Sequence, residues 1–249
     1  MLETVVRALR TQTTPPLRIV AVDSHSTAEQ RSALRLLVDE VVEYPVAEFN
    51  YARAINIGVE RCDTPWILII SSHVVLEDPA LIARAIAERQ ATGALAFYFH
   101  RGEDGPWSAE LIDRSTFDGR NGLHNTCSFV PRRAVEERPF REEVFSAEDQ
   151  EWAGSRLQDG STTILRIGIT KMHYANPNMN EEKFINEEIA IAYFTCRKRL
   201  GIRFVVGWLL KATVYFAAGR FVRARSYLTI GKELVLARFR PPVRGSRYF

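Results

Sequence analysis

Apolar runs alternate with amphipathic stretches over the first hundred residues. Four short apolar runs rich in β-branched and aromatic residues predict strands, namely LRIVAVD (17–23), VVEYP (41–45), WILIIS (66–71) and ALAFYFH (94–100). Three segments between them carry apolar residues at helical spacing and predict helices, namely TAEQRSALRLLVDE (27–40), FNYARAINIGVERC (49–62) and DPALIARAIAERQATG (78–93). This alternation predicts an α/β fold with a mostly parallel sheet and helices on both faces.

The rhythm changes after residue 101. The turn-rich segment RGEDGPWSAELIDRSTFDGRNG (101–122) predicts irregular structure, which often carries substrate contacts beside such a sheet. AEDQEWAGSRLQDG (147–160) predicts a helix with Gly160 as its C-cap, and TTILRIGITKMHY (162–174) predicts a pair of strands. From residue 180 onward the pattern predicts helices to the end of the chain.

The C-terminal region is strongly basic. From Arg197 to Phe249 the sequence holds 13 Lys or Arg and one acid, Glu233, a net charge of about +12. Residues 1–196 hold the other 20 basic and 29 acidic residues, a net charge of about −9. Such a split suggests a polyanionic partner for the tail, either nucleic acid or anionic lipid. Because no recognised nucleic-acid motif accompanies the charge, we expect anionic lipid.

Within this region, FVVGWLLKATVYFAAG (204–219) is apolar but shorter than a membrane span of roughly 20 residues, and Lys211 lies in its middle. Its basic and aromatic surroundings predict a helix in the headgroup region of an anionic membrane. The alternative is a helix that packs on the main domain with a solvated basic face.

Two further features indicate a reducing, cytosolic compartment. The three cysteines, Cys62, Cys127 and Cys196, are far apart and lack metal-ligand spacing, which argues against a disulfide framework or a zinc site. The first 16 residues contain neither the long apolar run nor the cleavage site of a signal peptide.

The residues that end the predicted strands are the first candidates for chemistry, because ligands of open α/β sheets collect there. Asp23 could accept hydrogen bonds from a ribose or a base edge, or it could simply form a turn. Ser71, Ser72 and His73 end the WILIIS strand. No G-x-G-x-x-G fingerprint or P-loop follows any strand, so neither of these phosphate-binding loops is available.

A second group of candidates lies in FSAEDQEWAG (145–154). Ser146 followed three residues later by Asp149 matches a capping box, in which Asp149 would only stabilise the helix start. Alternatively, Glu148 and Asp149 offer a general base to an acceptor hydroxyl. His173, at the end of a predicted strand, is either a core or loop histidine or a ligand for a metal or phosphate.

The order of four segments resembles family 2 glycosyltransferases of the GT-A fold, which is Rossmann-like, in the bacterial branch of rhamnosyltransferase-like enzymes of surface polysaccharide assembly. The segments are LETVVRALRTQTTPPLRIVAVDSHST (2–27), FNYARAINIGVERCDTPWILIISSHVVLEDP (49–79), NTCSFVPRRAVEERPFREEVFSAEDQEWAGSRLQDG (125–160) and KMHYANP (171–177). The resemblance covers residues 2 to 176, and VDSHST, ARAINIGVE and AEDQEW are its most specific parts.

The resemblance implies an inverting transfer of a sugar from a nucleotide-sugar donor to a hydroxyl of a glycan or lipid-linked glycan. Asp149 matches the catalytic base of the family, with Glu148 beside it. The nucleotide would be bound through Asp23, Arg53 and Ser72.

The same resemblance implies sites for the diphosphate and the second substrate. His73 and His173 would hold the diphosphate or a divalent metal, Mg²⁺ or Mn²⁺. His124, Asn125 and Thr126 lie where the family lines its acceptor or donor pocket. Alternatively, these three residues simply form a turn before a strand.

Two departures from the family pattern matter. The family chain opens with a central strand that this sequence lacks, so we expect the natural polypeptide to begin upstream of Met1. Ser71, Ser72 and His73 stand where the family carries its metal-binding Asp-x-Asp acids. Three alternatives follow for that site: direct contact of a protonated His73 or weak metal contact with the diphosphate, a transition metal held by His73 and His173, or an inactive site.

The sequence therefore predicts a GT-A domain over residues 1–178 and a helical, basic, membrane-peripheral region over residues 179–249. The leading hypothesis is a nucleotide-sugar-dependent hexosyltransferase of cell-envelope polysaccharide biosynthesis, cytoplasmic and peripheral on the inner face of the membrane. The alternative is a non-catalytic GT-A relative that binds a membrane or a partner.

Overall fold

Helices and strands alternate along the part of the chain that the structure describes. The computed structural model describes residues 1–45, 47, 49–102, 106–174 and 180–244. Its helices are α1 (Leu2–Arg10), α2 (Ala28–Arg35), α3 (Tyr51–Glu60), α4 (Leu81–Thr92), α5 (Arg132–Glu137), α6 (Glu148–Arg156), α7 (Glu181–Ala190), α8 (Ile202–Ala217) and α9 (Phe221–Leu236). Its strands are β1 (Val20–Asp23), β2 (Glu40–Glu43), β3 (Trp66–Ile70), β4 (Val74–Leu76), β5 (Ala96–Arg101), β6 (Trp107–Ile112), β7 (Cys127–Pro131), β8 (Ile164–Ile169) and β9 (Met172–Tyr174).

The helix ends follow the capping residues of the sequence. Thr27 and Gln30 form a complete capping box at the start of α2, and the side chain of Asn50 caps α3. Gly93 ends α4 in the left-handed conformation, with φ of 69°. Gly160, the predicted C-cap, ends the 3-10 turn Leu157–Asp159 that extends α6, with φ of 77°.

The central sheet has five strands in the order β3-β7-β5-β8-β6. Strands β3, β5 and β8 run in one direction, because β5 and β8 pair in parallel and β7 is antiparallel to both β3 and β5. Strand β6 is antiparallel to β8, so β6 and β7 run against the other three. The predicted α/β fold is confirmed, and its sheet is mixed because β6 and β7 run antiparallel to the other three strands.

Two short pairs of strands lie beside the central sheet. β1 and β2 form a parallel pair, and β4 pairs in antiparallel register with β9. The predicted strands within TTILRIGITKMHY are therefore present as β8 and β9, but they pair with other strands rather than with each other. β6 also crosses the segment predicted as irregular, of which residues 103–105 lie outside the described residues.

Helices cover both faces of the central sheet, as predicted, and alternate residues of β5 enter two separate cores. Phe97 and Phe99 pack on the side of α1 and α4. Ala96 and Tyr98 pack on the side of α3, α5 and α6, around the fully buried Trp152.

The C-terminal helices form a hairpin in which α8 packs on α9 and α9 packs on α7. Only Val205 and Ala212 of α8 are buried, and most of its large apolar side chains are exposed. Within the described ranges, no helix combines the length and the apolar character needed to cross a membrane.

Candidate active site

The candidate site lies where the end of β3 meets the loop before β7 and the start of α6. The backbone N–H of Ser71 donates to the carbonyl oxygen of Thr126 at 3.0 Å, and the N–H of Val74 donates back to the carbonyl of Ser71 at 3.0 Å. The tight turn through Ser72 and His73 is therefore held beside residues 124–126. This contact brings two of the sequence-predicted groups to one place.

Asn125 connects that loop to both candidate carboxyl groups. Its backbone N–H donates to Oδ2 of Asp149 at 3.1 Å, and its side-chain amide donates to Oε1 of Glu148 at 3.1 Å. The N–H of Gln150 donates to the other oxygen of Asp149 at 2.8 Å. Glu148 is 8% exposed and Asp149 is half-buried, so the two acids have defined positions at the rim of the core.

Gln150 fixes the loop itself, and the sequence analysis missed it. Its side-chain oxygen accepts from the N–H of Gly122 at 2.9 Å, and its side-chain amide donates to the carbonyl of Leu123. Gly122 has no room for a side chain here, because a Cβ would lie 2.6 Å from the Cβ of Ala153. Buried, fully paired amides of this kind hold a loop in one position.

The start of α6 is not the predicted capping box. The N-cap residue is Ala147, and the helix start has no side-chain cap hydrogen bond from Ser146 or any other residue that the structure describes. Ala147 has φ of 56° and ψ of 36°, the left-handed region that alanine rarely adopts. The capping-box interpretation was therefore wrong, since the turn at Ala147 directs Asp149 to Asn125 instead.

Burial raises the pKa of both carboxyl groups. For Glu148, burial acts first and the neighbouring Asp149 charge second; the hydrogen bond from Asn125 opposes them. For Asp149, burial again acts first; hydrogen bonds from Asn125 and Gln150 partly offset it, and the charge of Glu187 raises the pKa further. A carboxyl group with a raised pKa is a stronger proton acceptor than an ordinary surface aspartate.

His124 is engaged by Tyr98 and Arg120. Its ring stacks on Tyr98 with centroids 4.9 Å apart and planes 6° apart, and its Nε2–H donates to the carbonyl of Arg120 at 3.0 Å. Burial lowers the pKa of His124, which favours the neutral ring. These contacts favour a positioning role in the loop for His124.

Asp23 ends β1 and is engaged by its own turn. Its carboxylate accepts from the Ser26 hydroxyl at 2.6 Å and from Nε of Arg31 at 2.9 Å. Burial alone would raise the pKa of Asp23, but the hydrogen bonds from Ser26 and Arg31 outweigh it and hold that pKa below its ordinary value. Asp23 is therefore ionised, as a hydrogen-bond acceptor for a nucleotide must be.

Arg53 lies in the first turn of α3, where the side chain of Asn50 accepts its backbone N–H at 3.0 Å. Its guanidinium is exposed and lies 5.6 Å from the ring centroid of Tyr44. Helix starts and arginine side chains both favour anions, so this end of α3 suits a phosphate.

Known proteins share parts of this sequence and this fold. The sequence profile described as "Glycosyl transferase family 2" matches residues 1–146. The chain belongs to glycosyl transferase family 2. No curated protein matches this glycosyltransferase in sequence.

Solved structures resemble this family 2 glycosyltransferase in fold. S. aureus TarS 1-349 in complex with UDP is 16% identical with a TM-score of 0.58, over 95% of this chain and 82% of that one. The mannosyltransferase PcManGT from Pyrobaculum calidifontis in complex with GDP-Man and Mn2+ is 14% identical with a TM-score of 0.59, over 95% of this chain and 81% of that one. A longer TarS chain matches with a TM-score of 0.56 and 16% identity, over 85% of this glycosyltransferase, which spans 40% of that chain.

The β3 end of this glycosyltransferase carries one imidazole and two hydroxyls. Burial and then the charge of Lys183 lower the pKa of half-buried His73, so its ring is neutral at physiological pH. His173 is exposed on β9, in register with Val75 of β4. The rest of its motif, residues 175–177, lies outside the described residues.

These donors do not fit a hard divalent cation. Among the described residues there is no group of three or more His, Cys, Asp or Glu side chains that could hold a metal. Serine hydroxyls and one neutral imidazole are poor ligands for Mg²⁺ or Mn²⁺, which prefer carboxylates. The predicted metal site therefore stays a prediction, and no chemical step below depends on it.

Lys183 is the second residue that the sequence analysis missed. It lies in the first turn of α7, is half-buried, and forms no ion pair with any described residue. Its charge lowers the pKa of His73, which follows β3. No motif in the sequence connects residue 183 to residue 73, so only the fold reveals this cation.

Proposed function

We propose that this chain transfers a sugar from a nucleotide-sugar donor to a hydroxyl of a glycan or lipid-linked glycan, with inversion at the anomeric carbon. The observation that carries the proposal is the pair Glu148 and Asp149 at the start of α6, held by Asn125 beside the end of β3. The membership of glycosyl transferase family 2 supports the reaction class. The UDP and GDP-Man of the structural neighbours support the donor class.

In the proposed reaction Asp149 is the general base. It takes the proton of the acceptor hydroxyl while the hydroxyl oxygen attacks the anomeric carbon, and the bond to the diphosphate breaks with its electron pair on the diphosphate. The raised pKa of Asp149 supports this role, because a base is most effective when its pKa approaches the working pH. Glu148 shares the Asn125 hydrogen bonds and sets the charge around the base.

The leaving diphosphate needs positive charge, and cations of the chain supply it in this proposal. Lys183 and Arg53 are the candidates, with Ser72 and His73 as neutral donors at the end of β3. The lowered pKa of His73, which burial causes first and the Lys183 charge second, favours a neutral donor over the protonated contact that the sequence analysis considered. His173 is placed beside β4 and would contact the diphosphate from that side.

Asp23 is proposed to contact the base or ribose of the nucleotide, and Thr126 and Asn125 to line the pocket where acceptor and donor meet. The rhamnosyltransferase-like branch and cell-envelope polysaccharide biosynthesis are proposed as the biological setting. Their support is the resemblance of VDSHST, ARAINIGVE and AEDQEW to that branch.

The hairpin of α8 and α9 is proposed to bind the anionic inner face of the cytoplasmic membrane. Leu210 and Phe216 are 62% and 63% exposed, beside the exposed cations Arg203 and Lys211. Apolar side chains that reach past basic ones suit the headgroup region. This arrangement favours lipid over a solvated face, which would carry fewer large apolar side chains.

Vesicle flotation tests the membrane contact. The double variant Leu210→Ser and Phe216→Ser should lose binding to phosphatidylserine-containing vesicles, because about 3 kcal/mol of apolar transfer is removed. Leu36→Ser is the matched control, since Leu36 is 88% exposed, directly follows α2 and lies outside the hairpin. Equal flotation of all three proteins would contradict the proposal.

The donor class is tested by thermal shift with uridine, thymidine and guanosine diphosphates, each with and without manganese. A ligand that binds only the native state raises the free energy of unfolding, by about 2.7 kcal/mol at a hundredfold excess over its Kd, and the melting temperature rises with it. A shift with one diphosphate, independent of manganese, is the expected result. No shift with any of them would favour the non-catalytic alternative.

A further inference from the structure

The central sheet changes character along β5, β8 and β6, on the face to which Tyr98 points. Alternate residues of each strand belong to this face. The three rows that cross it in register, from β5 through β8 to β6, are Ala96, Ile164 and Ile112, then Tyr98, Arg166 and Glu110, then His100, Gly168 and Ser108. The first row is apolar and enters the core around Trp152, so this face turns from apolar to polar along the strands.

The opposite face of the same strands stays apolar over the same length. Phe97 and Phe99 of β5 and Ile167 and Ile169 of β8 are all buried there. The polar residues are therefore confined to one face of the sheet and are not a general property of the strand ends.

Four side chains of the polar rows are open to a ligand. Ser108 and Glu110 are exposed, and His100 and Arg166 are half-buried. We call these four residues the β5-β8-β6 patch. Because they stand on three adjacent strands, their positions are defined before a ligand arrives.

His100 and Ser108 converge over Gly168. A Cβ at Gly168 would collide with Oγ of Ser108 and lie 3.1 Å from Nε2 of His100, so both polar atoms lean over the glycine. Nδ1 of His100 lies 3.1 Å from the carbonyl oxygen of Arg101, which can only accept, so Nδ1 carries the ring proton. Burial, and then the charge of Arg166, lowers the pKa of His100 and favours the neutral ring. Nε2 is therefore an acceptor beside a hydroxyl that both donates and accepts.

Arg166 and Glu110 form an ion pair between β8 and β6. Nη1 of Arg166 lies 3.2 Å from Oε2 of Glu110, and the two side chains are 37% and 56% exposed. The pair leaves further guanidinium N–H groups and a second carboxylate oxygen for a ligand, while its net charge is zero. This balance suits an uncharged ligand with many hydroxyl groups, whereas a phosphate would be repelled by Glu110.

The patch adjoins the candidate active site. Tyr98 lies in one row with the ion pair, and its ring centroid is 6.4 Å from that of His100 and 4.9 Å from that of His124. Asn125, the residue after His124, donates to both carboxyl groups at the start of α6. From the row of Tyr98 the patch extends roughly 7 Å along β5 and about 10 Å across the three strands, by the usual residue and strand spacings. A ligand in the patch would therefore lie next to the loop that holds the proposed general base.

We propose that the β5-β8-β6 patch binds uncharged sugar residues of the acceptor glycan. Saccharide hydroxyl groups both donate and accept hydrogen bonds, and the patch offers both kinds of partner. His100 and Glu110 accept, Arg166 donates, and Ser108 does both. The inference rests on the proposed function, and it narrows the acceptor to a glycan with neutral sugars near the reacting hydroxyl rather than a lipid phosphate.

A proton NMR titration of the histidine rings tests the patch without turnover. The chain has five histidines, and the ring signal that disappears in His100→Gln is that of His100. The probes are neutral disaccharides of rhamnose, galactose and N-acetylglucosamine, and the control is inorganic phosphate. At least one disaccharide should shift the His100 signal saturably, and phosphate should leave it unchanged.

Substitutions in the patch separate recognition from folding. Ser108→Ala removes one exposed hydroxyl and should weaken disaccharide binding about three- to tenfold, as the loss of one hydrogen bond does. Ser161→Ala, at an exposed serine shortly before β8, is the matched control and should bind like the unchanged protein. Glu110→Gln leaves the charge of Arg166 unbalanced, so inorganic phosphate should now shift the His100 signal. A side chain that only stabilised the sheet would not produce this change of ligand.

Three results would overturn the proposal. One is the absence of a saturable shift with every disaccharide, and another is an equal Kd in Ser108→Ala and the unchanged protein. The third is a His100 shift that grows with protein concentration and needs no saccharide, which would assign the patch to a second copy of this chain that pairs along the edge of β6.

These outcomes are distinct from a failure of the proposed function, which the thermal shift with nucleoside diphosphates reports. Diphosphate binding without a saccharide response would remove the patch and keep the donor site. A saccharide response without diphosphate binding would keep the sugar site and contradict the proposed transfer.

Discussion

At the α6 side of the candidate site, two carboxyl groups are held by Asn125 and Gln150 at the edge of the core, whereas the β3 side presents Ser71, Ser72 and His73 in a turn. The first side is acidic, largely buried and hydrogen-bonded. The second side is neutral, and the charge of Lys183, on another helix, lowers the pKa of its His73. The two sides therefore meet different chemical demands: proton removal at α6 and charge neutralisation at β3.

The comparison teaches that a neutral turn after β3 and a pair of acids at the start of α6 are found in the same candidate site. Keeping Glu148 and Asp149 ionised in a buried position costs stability, since burial raises the pKa of both. A protein without a catalytic use for the pair would be more stable with amides there. The presence of both acids beside Asn125 is consistent with the proposed role of Asp149 as a base.

The largest expected effect is the loss of turnover in Asp149→Asn. Removing a general base lowers kcat by about 10²–10⁴-fold, while binding of the nucleoside diphosphate should be unchanged because Asn125 can still donate to the amide oxygen. Steady-state kinetics and calorimetry measure the two quantities. Asp63→Asn, at an exposed aspartate, is the matched control. Full turnover in Asp149→Asn would remove this residue from the role.

Lys183→Ala should weaken binding of the donor diphosphate at the β3 side and leave the general base Asp149 unchanged. Loss of a charge-assisted contact to the diphosphate should raise KM for the donor by about 10- to 100-fold. The pKa of His73 should also rise, because the Lys183 charge holds it down, and an NMR titration would show this. Lys232→Ala, at an exposed lysine of α9, is the control and should change neither quantity. An unchanged KM would assign the diphosphate to other groups.

Glu148→Gln should raise the melting temperature, and the gain should depend on pH. The folded-state pKa of Glu148 lies above its ordinary 4.5, so the folded state binds more protons and its stability falls as the pH rises above that value. At pH 8 the variant should therefore melt several degrees higher, and near pH 4 the difference should vanish. Exposed Glu143→Gln should show no such trend. A pH-independent difference would contradict the raised pKa.

Ala147→Gly should have the smallest effect of these substitutions, a small change in the free energy of unfolding. Alanine in the left-handed region costs about 1 kcal/mol, so glycine should raise the free energy of unfolding by about 0.5 kcal/mol after its larger chain entropy is subtracted. Exposed Ala87 within α4 is the matched control, since Ala87→Gly should lower that free energy by about 1 kcal/mol. Urea denaturation distinguishes the two signs, and a loss of stability in both variants would show that Ala147 is unstrained.

The sequence predicted the local elements and the family well, because hydrophobic spacing, Thr27, Asn50 and Gly160 act within a few residues. It also pointed to Asp149 as the general base, which stays a prediction. Interactions between distant segments could not be predicted from it: the hydrogen bond from Asn125 to Glu148, and the effect of the Lys183 charge on the pKa of His73. The capping box failed because Ser146 and Asp149 satisfy its spacing while the backbone at Ala147 turns left-handed.

The antiparallel insertion of β7 between β3 and β5 was equally hidden from the sequence. Its residues, CSFVP, form an apolar run with no mark of direction, since direction depends on the long connection that precedes it. The division at residue 178 stays a prediction. Ile189 and Ala190 of α7 pack on Phe145, so the start of the C-terminal region contributes to a core with the preceding segment.

The most direct test of the central claim is the anomeric configuration of the product, read by NMR after transfer from the donor that the thermal shift identifies to a lipid-linked glycan acceptor. Direct attack by an acceptor hydroxyl deprotonated by Asp149 predicts a single product of inverted configuration. A product of retained configuration, or no transfer from a donor whose nucleoside diphosphate binds, would contradict the account.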